Sequence, residues 1–303
     1  MNIMRPPEVL VIGDANPDLL LTGDVIPQFG QVEKLVDSAD LVLGGSAAIA
    51  ACGLARLGVP TALAAVIGDD LFGEFVRGAL TEAGVDTRWH RTDQEVPTAV
   101  SVVLSAGDRA ILTLPGTLAA TGPDVVDPDL LCRVRHVHSA SMFLLPRLAP
   151  HLADFFSAAR AAGATTSLDT NWDPAGSWQG VWPLLAHTDV VLPNAAELLA
   201  MAEAADVDTA AARIVEVGCR VALKDGAEGG VLWDGPTVTR VAPPATEVVD
   251  TTGAGDSFDA GFISGMIEKL SGAKCLERAV RCGSLSTRAV GGTAAQAQRS
   301  ELS

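Results

Sequence analysis

The chain has 303 residues, 48% hydrophobic and 19% charged, which is enough apolar content for one large α/β domain or two ordinary ones. The 37 acidic against 21 basic residues give a net charge of −16 without any Lys/Arg cluster, which argues against a nucleic-acid binder. No stretch approaches the roughly 18 consecutive apolar residues of a membrane-spanning helix.

The opening MNIMRPPEVLVIGD runs straight into an apolar strand and lacks a signal peptide's basic start and cleavage site, so a cytoplasmic location is expected. Five cysteines (Cys52, Cys132, Cys219, Cys275 and Cys282) fall without CxxC spacing and in an odd number, which fits reduced thiols rather than a disulfide framework. VLVIG (9–13) reads as a buried strand, and SAAIAACGLARLG (46–58) as a helix opening after Gly44-Gly45 and closing at Gly58. TALAAVIG (61–68) is a strand and 70–84 a helix. The alternation continues with strand 135–143, helix 147–162, strands ATTSLDTN and DVVLPN, helices from 195 and over 208–217, and strands RVALKD and GGVLWD. Helices over about 254–270 and 273–289 complete the pattern, and the Ala-rich tail after 293 is expected to be loose. Short strands alternating with amphipathic helices predict one doubly wound α/β domain over 1–303, a mostly parallel sheet with helices on both faces.

Two segments break the rhythm. Residues 14–43 alternate polar and apolar positions with little helical period. PTAVSVVLSAGDRAILTL (97–114) reads as a β-hairpin turning at Ala106-Gly107-Asp108. Such strands predict a small sheet standing off the main domain as a lid.

The densest chemistry lies in DTTGAGDSF, Asp250 to Phe258. Gly253-Ala254-Gly255 precedes an apolar-periodic helix, so first-turn N–H groups lack helical partners and the macrodipole favours an anion there. Asp256 in the same turn can take a proton from a hydroxyl beside a bound phosphoryl group, the helix field holding it ionised; alone, it could equally be a helix cap. VIGDANPDLLL places Asp14, Asn16 and Asp18 at period two, on one face if the strand continues, where a polyhydroxyl ligand could be held. Gly44 and Gly45 permit close backbone approach. Asn194 and Glu197, three apart at a helix start, read from spacing as a capping box. LDTNWDPAGSW offers Asp169 and Asn171 on one face of a strand end. Trp172, Trp178 and Trp182 read as rim or core packing rather than sugar stacking. His136 and His138 share a strand face without a third ligand, which favours a structural role over a metal pair. No GxGxxG follows the first strand, which argues against a Rossmann dehydrogenase, and no P-loop exists.

DTTGAGDSF resembles the second signature of the PfkB (ribokinase-like) carbohydrate kinase family, and GGSAAIAACGLARLG resembles its first. LPNAAEL (192–198) looks like the family's NxxE motif, and LKDGAEGGVL (223–232) like its nucleotide-loop strand pair. These fall in the family's order along nearly the whole chain. The resemblance implies ATP-dependent phosphorylation of a hydroxymethyl group on a sugar or sugar derivative, or in some members a nucleoside. A non-catalytic sugar- or nucleotide-binding protein on the same fold is the rival of another class, disfavoured by the intact GAGD and NxxE. The implied roles are Asp256 as general base with an anion hole from Gly253, Ala254, Gly255 and Asp256, and sugar contacts from Asp14, Asn16, Asp18, Gly44 and Gly45. Asn194 and Glu197 would organise Mg²⁺ largely through water. Lys224, Gly226, Gly229, Thr252 and Gly255 would meet the nucleotide. A monovalent cation, K⁺, would lie near Asp250, Thr252, Ala289 and Gly292. Two departures bear on the substrate. Ile49 stands where many members carry an asparagine, and Asp173 where ketodeoxygluconate- and fructokinase-like members often carry an arginine. Family lids are often buried against a second subunit, and the apolar runs AVSVVL and AILTL lead us to expect a homodimer through the lid.

Overall fold

The computed structural model describes residues 5–106 and 109–302. Its strands are β1 (Val9–Ile12), β2 (Asn16–Gly23), β3 (Val36–Gly44), β4 (Thr61–Ala64), β5 (Val66–Gly68), β6 (Arg91–Asp93), β7 (Val100–Ser105), β8 (Arg109–Leu114), β9 (His136–Ala140), β10 (Thr165–Asp169), β11 (Val190–Val191), β12 (Arg220–Lys224), β13 (Gly230–Asp234) and β14 (Thr237–Val241). Eight form the main sheet in the order β14-β13-β12-β11-β10-β9-β1-β4. The run from β12 to β4 is parallel, and β13 and β14 add antiparallel at one edge.

The apolar run of β1 suits a strand paired on both sides, between β9 and β4. Leu10 and Ile12 face one buried cluster and Val9 and Val11 another, so the two-residue period feeds the helical layers on both faces. The doubly wound α/β fold expected from the sequence is therefore present. β14 and β6 are additions that the sequence reading lacked, and the strand expected over 61–68 is divided into β4 and β5, which pairs parallel with β6.

Four strands, in the order β3-β2-β7-β8, form the separate lid sheet. β2 pairs antiparallel with β3 and parallel with β7, and β7 with β8 makes the expected hairpin. Of its turn, Gly107 and Asp108 lie outside the described residues.

The C-terminal segment corrects an expectation. Gln296 and Ala297 are buried, and the Gln296 side-chain amide donates to the Ile49 carbonyl at 2.9 Å and to Ser257 Oγ at 3.2 Å. The small residues that suggested looseness let the tail pack between the helices Ser46–Arg56 and Ala254–Ile267.

Candidate active site

The carboxyl edge of the parallel strands collects the polar residues, as an open α/β sheet requires. Asp14 follows β1, Ser141 follows β9, Asp169 ends β10, Asn194 follows β11 and Lys224 ends β12.

Gly253 precedes the helix Ala254–Ile267 with φ 70°, and a Cβ there would stand 2.5 Å from Gly292 Cα. Only glycine fits both that left-handed backbone and that contact. No side chain caps this helix. The Ala254 N–H, expected in the anion hole, instead donates to the Thr251 carbonyl at 3.2 Å. The amides of Gly255 and Asp256 have no acceptor among the described residues and are open to an anion.

Asp256 is 8% exposed, and its pKa is pushed up to about 8. Burial is the main cause, with Asp169 and Asp14 adding; Lys224 and a Ser46 hydrogen bond oppose it. The sequence reading had the helix field holding this acid ionised. Desolvation and two like charges outweigh that field.

Asp14 is not part of a continuing strand. The chain bends between β1, in the main sheet, and β2, in the lid. The Asp14 carboxylate accepts from the Ser46 N–H (3.1 Å), the Ala47 N–H (2.9 Å) and the Ser141 hydroxyl (2.8 Å), capping the helix Ser46–Arg56 in place of Gly45. Asn16 and Asp18 do share a face of β2, and the Asn16 side-chain amide donates to Asp18 Oδ1 at 2.9 Å. Pro17 leaves that alternation intact. The Asp18 carboxyl lies directly over Gly44, where a Cβ would stand 2.2 Å from its Cγ. Burial first, then the charge of Asp14, raises the Asp18 pKa to about 7. Asp18, Gly44, Gly45, Asp14, Ser46 and Asp256 thus form one continuous acidic wall.

β10 ends at Asp169, so strand alternation does not reach Asn171. Asn171 sits at φ 52°, its N–H donating to Asp169 Oδ1 and its side-chain amide to Ser141 Oγ. Asp173 accepts from the N–H groups of Ala175, Ser177 and Trp178, so its carboxylate is spent holding its own loop. Trp178 packs edge-on against Phe143 and Trp172, and Trp182 donates to the Met201 carbonyl, all packing roles. His136 and His138 use ring nitrogens on the hydroxyls of Thr165 and Ser167.

On the other side of Asp256 lies a cavity of about 550 Å³. Lys224, Gly226, Gly229 and Gly255 line it, together with Pro243, Val248, Phe258 and Val280. Thr251 lines it in place of Thr252, whose N–H and hydroxyl both bond Asp250 Oδ1. Asp250 Oδ2 accepts from the Gly291 N–H, which draws Asp250 and Thr252 against the 289–292 turn that carries Ala289 and Gly292. Asn194 and Glu197 form the reciprocal capping box: Asn194 Oδ1 accepts from the Glu197 N–H, and Glu197 Oε2 from the Asn194 N–H, each at 2.9 Å. Glu197 Oε1 stands outside the box. Burial, then the neighbouring Asp169 charge, raises the Glu197 pKa to about 7.

The arrangement that sequence reasoning missed is the environment of Lys224. Its ammonium is held 2.7 Å from Asp169 Oδ2 and 3.0 Å from Asp259. Oxygens of Asp169, Asp256 and Asp259 all lie within 4.8 Å of one another.

Open helix-start amides, a buried carboxyl beside them, a cavity and an acidic wall are the parts that a phosphotransferase acting on an alcohol requires. Residues 6–299 match the pfkB family carbohydrate kinase model, and the chain belongs to that family. It is 34% identical to the ATP-dependent ribose-1-phosphate kinase of Halopiger xanaduensis, over 91% of this chain and 90% of the relative. A solved structure of Arabidopsis thaliana ribokinase complexed with ribose and ATP superposes with a TM-score of 0.86 at 25% identity, covering 99% of this chain and 98% of that one. A putative ribokinase II from E. coli in complex with ATP and Mg²⁺ shares the fold, with a TM-score of 0.87 at 23% identity, covering 98% and 97% of the two chains.

Proposed function

We propose that the protein transfers the γ-phosphoryl group of ATP to a hydroxymethyl group of an uncharged, hydroxyl-rich sugar or sugar derivative. The observation that carries this reading is the place of Asp256, between the 550 Å³ cavity reached through Gly255 and the wall formed by Asp14 and Asp18. ATP occupies the cavity, with its base against the apolar residues Pro243, Val248, Phe258 and Val280 and its phosphates towards Gly226, Gly229 and Lys224. The Gly255 and Asp256 amides receive the transferring group. Asp256 accepts the alcohol's proton as the oxygen bonds to phosphorus and the bond to ADP breaks. Alignment and charge neutralisation carry most of the acceleration, and general-base help adds about 10²–10⁴.

The donor set fits Mg²⁺. Glu197 keeps Oε1 outside its capping box and would hold the ion, with Asn194, largely through water. When bound, Mg²⁺ neutralises phosphate charge. A K⁺ site near Asp250, Thr252, Ala289 and Gly292 fits the way Asp250 ties those segments together.

The wall supports an uncharged acceptor. Asp14, Asp18 and Asp256 accept hydrogen bonds from hydroxyls, no arginine pairs with them among the described residues, and Asp173 is committed to its loop. Ile49 is buried against Gly292, so it adds apolar floor rather than a polar contact. The lid leaves Leu41, Ile111, Leu112 and Leu114 exposed, which supports a homodimer through this sheet. Among the described residues no helix is long and apolar enough to cross a membrane, which agrees with a cytoplasmic enzyme.

ADP release across pentoses, hexoses, ketodeoxygluconate and nucleosides, with Mg²⁺ and with or without K⁺, tests the reading. Acceptor-dependent ADP is expected with a neutral sugar, and none under any condition would contradict the assignment.

A further inference from the structure

Lys224 is built into the site in a way that nucleotide contact does not require. Its side chain is 13% exposed, and the two carboxylates that grip it are 2% and 1% exposed. Its stem lies along Gly255: a Cβ there would stand 3.4 Å from both Cδ and Nζ. Burying three ionisable groups together costs more free energy than apolar residues of the same volume would, so the cluster is a poor device for stability alone. The charge is placed beside the transfer centre instead.

The groups facing Asp256 come from every element around it. They are Asp169 from β10, Lys224 from β12, Asp14 from the bend after β1, the Ser46 hydroxyl from the next helix and Asp259 from its own helix. Lys224 also faces Glu197, from the helix Ala195–Ala202. Lys224 is the single cation in this set, against five carboxyl groups. The closely gathered acids Asp169, Asp256 and Asp259 therefore need no metal ion to account for them, since this ammonium already binds two of the three.

We propose that Lys224, clamped by Asp169 and Asp259, is a positioning residue of the transfer step: its ammonium offsets the charge of Asp256 and of the incoming phosphoryl group, and its stem braces the Gly255 peptide. The proposal rests on the kinase reading above. Lys224 itself makes and breaks no bond. The alcohol's proton goes to Asp256, the phosphoryl group goes to the alcohol oxygen, and ADP leaves.

The test is the pH dependence of kcat/KM, with ATP, Mg²⁺ and a neutral sugar acceptor, for the intact chain and the variants Lys224→Met, Lys224→Arg and Asp169→Asn. Lys224→Met leaves Asp256 with no cation facing it, so its acid limb is expected to move up by about one pH unit or more. Its deficit, about tenfold or more at pH 7, is expected to shrink at pH 9. Lys224→Arg keeps the charge and is expected to keep the limb. Asp169→Asn removes a like charge facing Asp256 and is expected to move the limb down, which keeps the proposal testable should Lys224→Met fail to fold. A Lys224→Met loss that is equal at every pH, or an unmoved limb in Asp169→Asn, overturns the proposal. Absence of acceptor-dependent ADP from the unaltered protein would instead remove the kinase reading itself.

Discussion

The Gln296 side-chain amide donates to the Ile49 carbonyl at 2.9 Å, across 247 residues of sequence. One buried amide thus joins the tail to the first signature's helix, and its second bond, to Ser257, reaches the helix that carries Asp256. Gln296→Ala leaves the Ile49 carbonyl without this donor in a dry interior. We expect a loss of about 1–3 kcal/mol in denaturant unfolding. A change under about 0.5 kcal/mol would mean that the tail contributes little.

The raised carboxyls predict how stability follows pH. Asp18 and Asp256 hold protons in the folded protein up to about pH 7 and 8, against the ordinary aspartate value of 3.8. The folded state therefore binds more protons than the unfolded one across that window, and stability falls as pH rises through it. The ligand-free melting temperature should drop between pH 6 and pH 8.5. Asp256→Asn should flatten the drop, since an amide does not titrate. A melting temperature that rises over this range would refute the assignment of these acids.

Much of this site was legible because its parts are local. DTTGAGDSF encodes an uncapped helix start and its acid within a few residues, and the Asn194/Glu197 box follows from a spacing of three. What was hidden depends on strand order. Lys224 lies 55 residues from Asp169 and 35 from Asp259; the order β10-β11-β12 brings Asp169 to it, and the packing of the helix Ala254–Ile267 brings Asp259. The bend after β1, which turns Asp14 to cap a helix 32 residues on, likewise leaves no periodic trace. The sign of the Asp256 shift depended on how much carboxylate charge the fold gathers around it, which no stretch of sequence states.

The acidic wall predicts acceptor discrimination. Above about pH 8, where Asp18 is ionised, a carboxylate or phosphate on the acceptor would meet a like charge, and such a pair at about 5 Å in a partly buried site costs on the order of 3 kcal/mol. A neutral pentose or hexose should exceed its acidic or phosphorylated counterpart in kcat/KM by about 30-fold or more. Asp18→Asn should narrow that ratio. An anionic acceptor used as well as its neutral partner would contradict the prediction.

The close contact at Gly44 predicts a steric effect. A methyl group there would collide with the Asp18 carboxyl at 2.2 Å from Cγ. Gly44→Ala must displace the Asp18 carboxyl, so KM for the acceptor should rise about tenfold or more while KM for ATP changes little. Equal changes in both constants would show that the contact does not belong to the acceptor side.

The central claim is that Asp256 receives the acceptor's proton. Asp256→Asn keeps the shape and both amides of the anion hole but cannot take that proton. Turnover measured alongside ATP affinity tests this most directly: we expect a fall of about 10²-fold or more in kcat with ATP binding nearly unchanged. Near-normal turnover in this variant would contradict the account.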